Sequence, residues 1–578
     1  MKLSKIIILS FCFINSLSAQ NSSRIGLGFG AKYTGEDFIT HLNDLNLDHY
    51  FINIKWGLYE PTPGAYDTAY IDAFIDQIPV NSEALIRISP RGNAIYNDSL
   101  TEYTVPLDLS TSGAYYDFVS HVISRDSTFK VKYYECEWEF NFTKHWGGTI
   151  NPNPDPIDLG NKYADLVRTT ETAINNNNPN ALFIFGGTTR ATTSYTDSLL
   201  RTTLTNLCAS DSLKGHCDYY DQHLYRDLYG IPGVLSWFDD IRDDFPAFAN
   251  KPVFCTEHAG PLPSEFMTNT ALNDSLANLL GSNICLLAGD LDTLNLPDHY
   301  RMFAFGVDAN LNAKRDSIQA NNYVQRTMLG LANGIERMYI WAFETQWFTQ
   351  IVQGDTCHLK DNTFGKLALT NTDFNNDFIS TNENYNYFKS FASFFKDAKT
   401  VIQDTALLNQ NIYFFEITTF QLDTFYVVWE RRDQYYGVYS PLVNFSFSTP
   451  WNCVRIQNIF GRDESLNVSS GLTNLQINDI PLILSNCSNL LINEKAPEKP
   501  ISIDLFPNPS RSTITIQSSG DKIRNIEIYS MSGNLISNIN EVNSNKCTVE
   551  TAFLKKGIYV VKIIDTSEKK HSHKLIIK

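Results

Sequence analysis

The sequence predicts an α/β protein in which a (β/α)8 TIM barrel is followed by two smaller β-rich domains. From residue 24 to about residue 393 of the 578-residue chain, short apolar runs alternate with amphipathic stretches, the order typical of strand-then-helix units. From residue 399 onward the helical pattern stops, and apolar runs separated by Asp, Gly and Asn indicate strands alone. A polar stretch containing Lys-Ala-Pro-Glu-Lys-Pro indicates a linker between two β-rich domains.

The barrel strands are predicted from eight apolar runs, because strands buried on both faces of a parallel sheet lack polar alternation. They lie at residues 24–29, 50–55, 84–88, 132–138, 182–186, 218–223, 253–256 and 338–343. Helices are predicted from amphipathic stretches that include residues 68–77, 113–123, 160–175 and 323–333. The longest interruption, roughly residues 261–320, precedes the last strand and would overhang the face on which barrels bind substrates.

The N-terminus has the layout of a secretory signal peptide. Residues 1–19 combine two lysines, an apolar core and a small-residue exit at Ser16-Leu17-Ser18-Ala19. No later stretch approaches the roughly 20 apolar residues that a membrane helix needs. The formal net charge of −17 disfavours a nucleic-acid partner, which requires a basic face. We therefore predict a signal peptide (1–19), a barrel (20–398), an accessory β-sandwich (399–487), a linker (488–502) and a C-terminal β-sandwich (503–578).

The cysteine count predicts at least one free thiol or an intermolecular link. Nine of the ten cysteines remain after the signal peptide, and an odd number cannot all pair within one chain. Cys208 and Cys217 bracket a short polar loop and are the pair we favour for a disulfide. Cys136 and Cys255, in predicted strands, are expected to be buried. The chain has no Cys-x-x-Cys pair, phosphate-binding glycine loop or EF-hand spacing, so we predict neither metal nor cofactor, with calcium left open.

Two glutamates at strand ends are the main indication of function. Glu139 follows the fourth predicted strand and Glu257 the seventh, at the end of the barrel where such enzymes place their chemistry. Two carboxyl groups, one protonating the leaving oxygen and one attacking the anomeric carbon, cleave glycosidic bonds with retention. Glu137 remains an alternative acid, because residues two apart share a strand face.

The segments around both glutamates resemble clan A of the glycoside hydrolases. Residues 134–141, Tyr-Glu-Cys-Glu-Trp-Glu-Phe-Asn, resemble the Trp-Glu-x-Trp-Asn-Glu-Pro-Asn motif that carries the acid/base in that clan. Trp138 replaces the usual Asn, and Phe replaces Pro. Residues 256–260, Thr-Glu-His-Ala-Gly, resemble the nucleophile motif Thr-Glu-x-Gly with one extra residue. The resemblance implies that Glu139 is the acid/base and Glu257 the nucleophile.

Further segments support the resemblance to β-galactosidase-like or xylosidase-like members of the clan. Residues 56–67 resemble a Trp-x3-Glu-Pro-x2-Gly-x-Tyr-Asp segment, and His223-Leu224-Tyr225 resembles a His-x-Tyr whose tyrosine bonds the nucleophile. Trp341 resembles the tryptophan that forms the floor of the −1 sugar site. By this resemblance, substrate-binding residues are expected at Trp56, Trp138, Asn141, His223, Tyr225 and Trp341.

The last 75 or so residues resemble the C-terminal sorting domain of the type IX (Por) secretion system of Bacteroidetes. Four blocks match in order: Leu-Phe-Pro-Asn-Pro at 505–509, 526–533, 554–563 and the final Lys-Leu-Ile-Ile-Lys. The resemblance implies export by the type IX machinery. The accessory β-sandwich is expected either to brace the barrel or to bind sugar.

These observations predict a secreted or surface-attached retaining glycoside hydrolase that acts on a polysaccharide or oligosaccharide. The alternative is a catalytically inactive carbohydrate-binding surface protein on a decayed glycosidase barrel, because Trp138 stands where the clan usually has Asn.

Overall fold

The computed structural model of the chain forms two compact units, residues 1–492 and 493–578. The structure describes residues 23–28, 38–79, 82–91, 108–141, 155–189, 193–209, 217–225, 227–249, 251–261, 302, 309–343, 367–372, 378–432, 441–468, 471–487, 503–506, 508–518, 522–530, 535–540, 542–566 and 570–578. The predicted signal peptide and linker lie outside these residues. None of the helices in the described ranges is long and apolar enough to cross a bilayer.

Eight parallel strands close into a barrel in chain order, which confirms the predicted fold class. The strands are β1 (Ile25–Gly28), β2 (His49–Lys55), β3 (Glu83–Ser89), β4 (Val131–Trp138), β5 (Leu182–Thr188), β6 (Tyr219–Gln222), β7 (Val253–His258) and β8 (Ile335–Ile340). Each overlaps a predicted run. The largest difference is in β8, which begins three residues early, because the polar Glu336 and Arg337 interrupt its apolar pattern.

Helices surround the barrel and pack on the outward faces of the strands. They are α1 (Phe38–Leu45), α2 (Trp56–Tyr59), α3 (Ala69–Gln77), α4 (Ala114–Ser124), α5 (Pro156–Asn177), α6 (Ser194–Ala209), α7 (Ile231–Asp243), α8 (Ala309–Ala332) and α9 (Glu383–Phe395). Helix α8 begins well before the predicted 323. The part before residue 323 buries polar side chains, among them Gln319 and Asn322, so it lacks the apolar stripe by which a helix is recognised in sequence.

The barrel interior is apolar at the level of Leu85, Tyr133, Ile184 and Phe254. Two residues further along the strands, at the next inward-facing position toward their C-terminal ends, the interior becomes charged. This level carries Arg87 and other ionisable groups that are fully buried. Because side chains on a strand alternate between its two faces, these charged groups lie directly above the apolar layer. The interior therefore has an apolar floor beneath a polar site.

Residues after the barrel form antiparallel sheets, as predicted. A small ribbon pairs β9 (Thr370–Thr372) with β10 (Phe378–Thr381) before α9. A six-stranded sheet has the order β11-β12-β13-β18-β15-β16, and β14 pairs with β17 in a second sheet. The strands are β11 (Ala398–Gln403), β12 (Ile412–Thr419), β13 (Thr424–Glu430), β14 (Val443–Ser448), β15 (Cys453–Gln457), β16 (Asp463–Asn467), β17 (Leu472–Ile477) and β18 (Leu482–Asn486).

The accessory sheets share a hydrophobic core with the barrel. One cluster of buried side chains runs from the barrel helices into the six-stranded sheet, and the rings of Phe395 on α9 and Phe425 on β13 lie 6.0 Å apart. A separate apolar core lies between the two accessory sheets and includes Phe445 and Leu482. The sandwich is thus packed on the barrel through apolar side chains, which stabilises both.

The disulfide prediction was wrong. The structure pairs Cys453 on β15 with Cys487, just after β18, and these strands are neighbours in the sheet. Cys208 and Cys217 are both free thiols. Cys217 is buried within the apolar layer outside the barrel, where it acts as a small hydrophobic residue.

The C-terminal unit has its own core. Three strands form one sheet and four form another, in the orders β19-β20-β23 and β22-β21-β24-β25, and a cluster of isoleucines, valine and leucine fills the space between them. The strands are β19 (Ile503–Phe506), β20 (Thr513–Ser518), β21 (Ile523–Ser530), β22 (Leu535–Ile539), β23 (Lys546–Glu550), β24 (Gly557–Asp565) and β25 (Lys570–Ile577).

Candidate active site

The two predicted catalytic glutamates meet at the C-terminal end of the barrel. Glu257 is the second-last residue of β7, and Glu139 is the first residue after β4. Glu139 has a φ of 50°, a left-handed backbone that few non-glycine residues adopt. Its backbone N–H donates to the carbonyl of Gly187 on β5 at 2.6 Å. This bend at the strand end directs Glu139 toward the barrel axis, and its side chain is 15% exposed.

His223 lies between the two carboxyl groups. Its Nδ1 is 3.2 Å from Oε1 of Glu139 and 3.5 Å from Oε2 of Glu257. A carboxyl oxygen of Glu139, one of Glu257 and a ring nitrogen of His223 all lie within 4.8 Å of one another. Three ionisable side chains predicted from separate sequence motifs therefore form one compact cluster.

Glu257 is held by two donors from other parts of the barrel, one just after β6 and one on β3. The hydroxyl of Tyr225 donates to its Oε2 at 2.8 Å, and the guanidinium of Arg87 on β3 forms an ion pair with its Oε1. Hydrogen bonds from charged or polar donors favour the ionised form of a carboxylate. The arrangement therefore orients Glu257 and prepares it to carry negative charge.

Arg87 is a site residue that the sequence analysis missed. It is fully buried and also contacts Glu135 Oε2 at 2.9 Å and Thr256 Oγ1 at 2.5 Å. Burial disfavours its charge, but the carboxylates of Glu135, Glu257 and Asp221 outweigh that effect and raise the pKa of Arg87. The available signal was an arginine within the apolar run Ala-Leu-Ile-Arg-Ile, because a buried arginine requires partners.

Asp221 on β6 was also missed. Its Oδ1 accepts from the backbone N–H of Thr256 at 2.7 Å, and its Oδ2 lies 3.0 Å from Nε2 of His223. Burial acts to lower the pKa of His223, but the charges of Glu257 and Asp221 overcome it and hold that pKa well above its usual value. The surroundings thus favour the imidazolium form of His223, since Nε2 lies near Asp221 and Nδ1 near the two glutamates.

Glu137 is bonded to residues outside this cluster. It is fully buried, and its two oxygens accept from Arg91 Nε at 2.9 Å and Ser89 Oγ at 2.6 Å. Both partners come from the end of β3. A carboxylate held in this way has a structural role in joining β3 to β4, which weakens the case for Glu137 as the alternative acid.

The predicted aromatic contacts divide into two groups. Trp341 follows β8 and stacks on Phe51 at 5.8 Å, with 9% of its surface exposed above the apolar floor. Trp56 is 1% exposed. It stacks on Phe118 of α4 at 5.3 Å and donates its indole N–H to Glu60, so it has no surface on which a sugar could stack. Trp138 ends β4, and its side chain is outside the described part of the structure.

Asn141 is fully buried and bonded to the backbone. Its Nδ2 donates to the carbonyl of Thr189 at 2.7 Å, and its Oδ1 accepts from the backbone N–H of Thr189 at 2.9 Å. Both ends of the amide are therefore used to tie the end of β4 to the end of β5. Asn141 thus braces the chain two residues after Glu139 and has no exposed surface.

Two groups of described side chains have a spacing that could hold a metal ion. They are Glu135, Asp221 and His223, and Glu139, His223 and Glu257. Both include His223, which must lose its proton to bind a metal and whose pKa is raised. Arg87 places a further positive charge beside both groups. The arrangement favours protons and ion pairs over a cation.

Comparison with protein families identifies the C-terminal unit. Residues 504–578 match the secretion system C-terminal sorting domain, the Por secretion tail. The tail is a sorting domain. It directs the chain through type IX secretion to the cell surface or the extracellular space, as the sequence predicted. No curated protein matches the chain.

Solved structures resemble the chain over most of its length. A family 39 glycoside hydrolase from the gut symbiont Bacteroides cellulosilyticus WH2 is 14% identical with a TM-score of 0.51, and the match covers 81% of each chain. A glucosidase from Croceicoccus marinus is 11% identical with a TM-score of 0.44 and covers 92% of this chain and 94% of its own. An exo-β-1,4-mannosidase from Opitutaceae bacterium strain TAV5 is 12% identical, with a TM-score of 0.38 and coverage of 65% and 60%. The first of these similarities shows that the barrel has a glycoside hydrolase fold.

Proposed function

We propose that the protein is a retaining glycoside hydrolase that acts on a polysaccharide or oligosaccharide outside the cell. The observation that carries the proposal is the proximity of Glu139 and Glu257, whose nearest carboxyl oxygens lie within 4.8 Å. Retaining enzymes place their two carboxyl groups about 5–5.5 Å apart, whereas inverting enzymes leave about 6.5–9.5 Å for a water molecule. The short separation favours attack by a carboxylate over attack by water.

The surroundings of the two groups support different roles. Glu257 accepts from Tyr225 and Arg87, which suits a nucleophile that must be ionised when it attacks. Glu139 is the more exposed of the two, and it lies at the mouth where a leaving group would depart. A negative Glu257 nearby favours the protonated form of Glu139, as an acid catalyst requires.

Charge in this cluster moves during the proposed reaction. In the first step the Glu257 carboxylate forms a bond to the anomeric carbon while Glu139 gives its proton to the departing oxygen. The negative charge therefore passes from Glu257 to Glu139. His223, whose Nδ1 lies between 3.2 and 3.5 Å from both, stabilises the charge before and after the step without moving. Water, deprotonated by Glu139, then releases the sugar from Glu257.

The substrate-binding roles follow from exposure. We propose that Trp341 supports the sugar ring at the −1 site, since its exposed edge lies over the apolar floor. Tyr225 and His223 act on the substrate through the glutamates. Trp138 remains a proposed subsite residue from its sequence position, whereas Asn141 and Trp56 are assigned structural roles because of their burial.

The roles of the glutamates can be separated by mutation. Glu257→Ala should abolish turnover of aryl glycosides, whereas Glu139→Ala should retain activity on substrates whose leaving group needs no protonation. Added azide should rescue the Glu139 variant and give a glycosyl azide of retained configuration, because it can occupy the space of the missing side chain and attack the glycosyl-enzyme. In the Glu257 variant azide could only displace the leaving group directly, which would invert the configuration.

The matched control is Glu137→Ala, which removes a buried carboxylate on the same strand. It should show no azide rescue, because its partners Arg91 and Ser89 are not part of the cluster. Rescue of this variant instead of the Glu139 variant would move the acid/base assignment to Glu137. Wild-type protein that binds polysaccharides but releases no product from a broad panel would favour the inactive carbohydrate-binding alternative.

A further inference from the structure

A second acidic pair lies beneath the catalytic glutamates. Glu135 on β4 and Asp221 on β6 are both fully buried. A carboxyl oxygen of each lies within 4.8 Å of the other, close enough for a shared proton to join them by a hydrogen bond. Strands β4 and β6 are not neighbours, since β5 lies between them. The contact is possible because β5 has Gly187 at this level, where a Cβ would collide with Asp221 Oδ2 and His223 Nε2.

Two carboxyl groups in direct hydrogen-bond contact share one proton. With both ionised, neither has a hydrogen to donate, and the like charges repel strongly in a water-free interior. The remaining contacts indicate which carboxyl holds the proton. Asp221 has three donors, the backbone N–H and the hydroxyl of Thr256 and Nε2 of His223 at 3.0 Å. Glu135 has two, Arg87 Nε at 2.9 Å and the Gly187 N–H at 3.2 Å, so the geometry favours ionised Asp221 and protonated Glu135.

The electrostatics agree with this geometry. Burial, which outweighs Arg87, and the neighbouring Asp221 raise the pKa of Glu135 well above its usual value. Burial also opposes ionisation of Asp221, but His223, Arg87 and the hydrogen bond from Glu135 lower its pKa. The charged and titratable groups that interact with the pair are Arg87 from β3, His223 just after β6, Cys255 from β7, Glu257 from β7 through Arg87, Tyr339 from β8 and Tyr163 from α5.

We infer that Glu135 is a protonated acid that donates to Asp221, and that this pair fixes the positive charge of His223 beside the catalytic glutamates. The effect on the reaction rests on the proposed function, whereas the proton on Glu135 is inferred from the buried contact alone. With Glu135 and Glu139 neutral, the cations Arg87 and His223 balance the anions Asp221 and Glu257. Glu135 and Asp221 are thus positioning residues that act on the reaction through His223.

The proton is directly observable by infrared spectroscopy of the full-length protein at pH 7. The Glu139→Gln variant removes the proposed catalytic acid, and in that background one protonated-carboxyl band should remain. The band should shift when glutamate is labelled with 13C at the carboxyl carbon and should not shift when aspartate is labelled. Adding Glu135→Gln should abolish it. The matched control Glu137→Gln, a buried glutamate held by Arg91, should retain it.

Absence of a glutamate band in the Glu139→Gln protein, or its survival in the Glu135→Gln double variant, would overturn the inference. A band that follows labelled aspartate would place the proton on Asp221 and contradict the assignment. These outcomes do not depend on turnover, so they are distinct from a failure of the glycosidase proposal. If Glu135→Gln does not fold, the labelled spectra of the Glu139→Gln protein decide alone.

The effect on His223 has its own readout. In 15N spectra at pH 8, His223 should show the imidazolium signature in the wild type and in Glu135→Gln, whose amide can still donate to Asp221. Asp221→Asn should lose the signature, because the negative charge that holds the proton is gone. Loss of the signature in Glu135→Gln, or its persistence in Asp221→Asn, would show that the pair does not set the charge of His223.

Discussion

Replacing His258 should make the barrel more resistant to acid. His258 follows Glu257 on β7, is fully buried, and has no hydrogen-bond partner for either ring nitrogen among the described residues. Burial and the nearby charge of Arg326 lower its pKa to about 3. The folded state therefore keeps this imidazole neutral at pH values at which the unfolded chain protonates it.

The size of the effect follows from proton linkage. Between pH 6.5, the ordinary value for histidine, and about pH 3 the unfolded state binds one more proton at this position than the folded state. Stability therefore falls as the pH falls, by about 1.4 kcal/mol per pH unit and by at most roughly 5 kcal/mol in total. His258→Met removes the titrating group while it fills a similar volume, so the variant should lack this loss.

The assay is urea unfolding of wild type and His258→Met at a series of pH values from about 7.5 to 4. The difference in unfolding free energy should shift in favour of the variant by about 1 kcal/mol or more per pH unit below about pH 6. Parallel curves for the two proteins over this range would refute the reasoning, because they would show that His258 takes up its proton in the folded state.

His223 provides a comparison of opposite sign. Its pKa is raised well above the ordinary value, so the stabilisation from its ion pairs is fully present below about pH 6.5 and is lost as the pH rises through the folded pKa. The unfolding free energy of His223→Gln should therefore be lower than that of wild type by a constant amount at acidic pH, and the difference should shrink at alkaline pH. Two buried histidines in one barrel would then show opposite pH dependence.

Three further predictions concern the site, the disulfide and the tail. Tyr225→Phe removes the 2.8 Å hydrogen bond to Glu257, and a bond to a charged group is worth about 1.5–3 kcal/mol, so kcat/KM on an aryl glycoside should fall roughly 10- to 150-fold; an unchanged value would exclude the contact from catalysis. Serine at both Cys453 and Cys487 opens a loop of sequence separation 34 and should lower the unfolding free energy by about 4 kcal/mol, measured by urea unfolding. Deleting residues 503–578 should leave a folded, active enzyme, because this unit has its own core, but cell fractionation should find it retained in the periplasm; normal surface display would contradict an export role.

The sequence alone determined the barrel and its two glutamates. Strand positions could be predicted because parallel strands are buried on both faces and therefore produce apolar runs. Glu139 and Glu257 could be chosen because the ends of those runs converge on one face of any such barrel. The tail was recognisable because its matching blocks occur in order within a continuous segment. All of these signals are local in the chain.

Apart from His223 and Tyr225, which the sequence motif placed beside Glu257, only the tertiary structure decided what surrounds the glutamates. Arg87, Glu135 and Asp221 come from three different strands, and no sequence pattern shows that their side chains meet. The orientation of the Trp56 side chain could not be predicted either, because a tryptophan just after a strand can face either the barrel axis or the helices. In the structure it packs on α4. The Cys453–Cys487 pairing depends on which strands are adjacent in a sheet.

The physical reason is the range of the interactions. Apolar periodicity and strand ends depend on which faces of a short segment are buried. They can therefore be predicted from the order of residues within that segment. Charge compensation in a water-free interior depends on distances between side chains that are far apart in sequence, such as the 3.0 Å between Asp221 and His223 and the ion pair between Arg87 and Glu257, 170 residues apart. The closure of eight strands into one barrel sets those distances, and with them the charge of each group in the site.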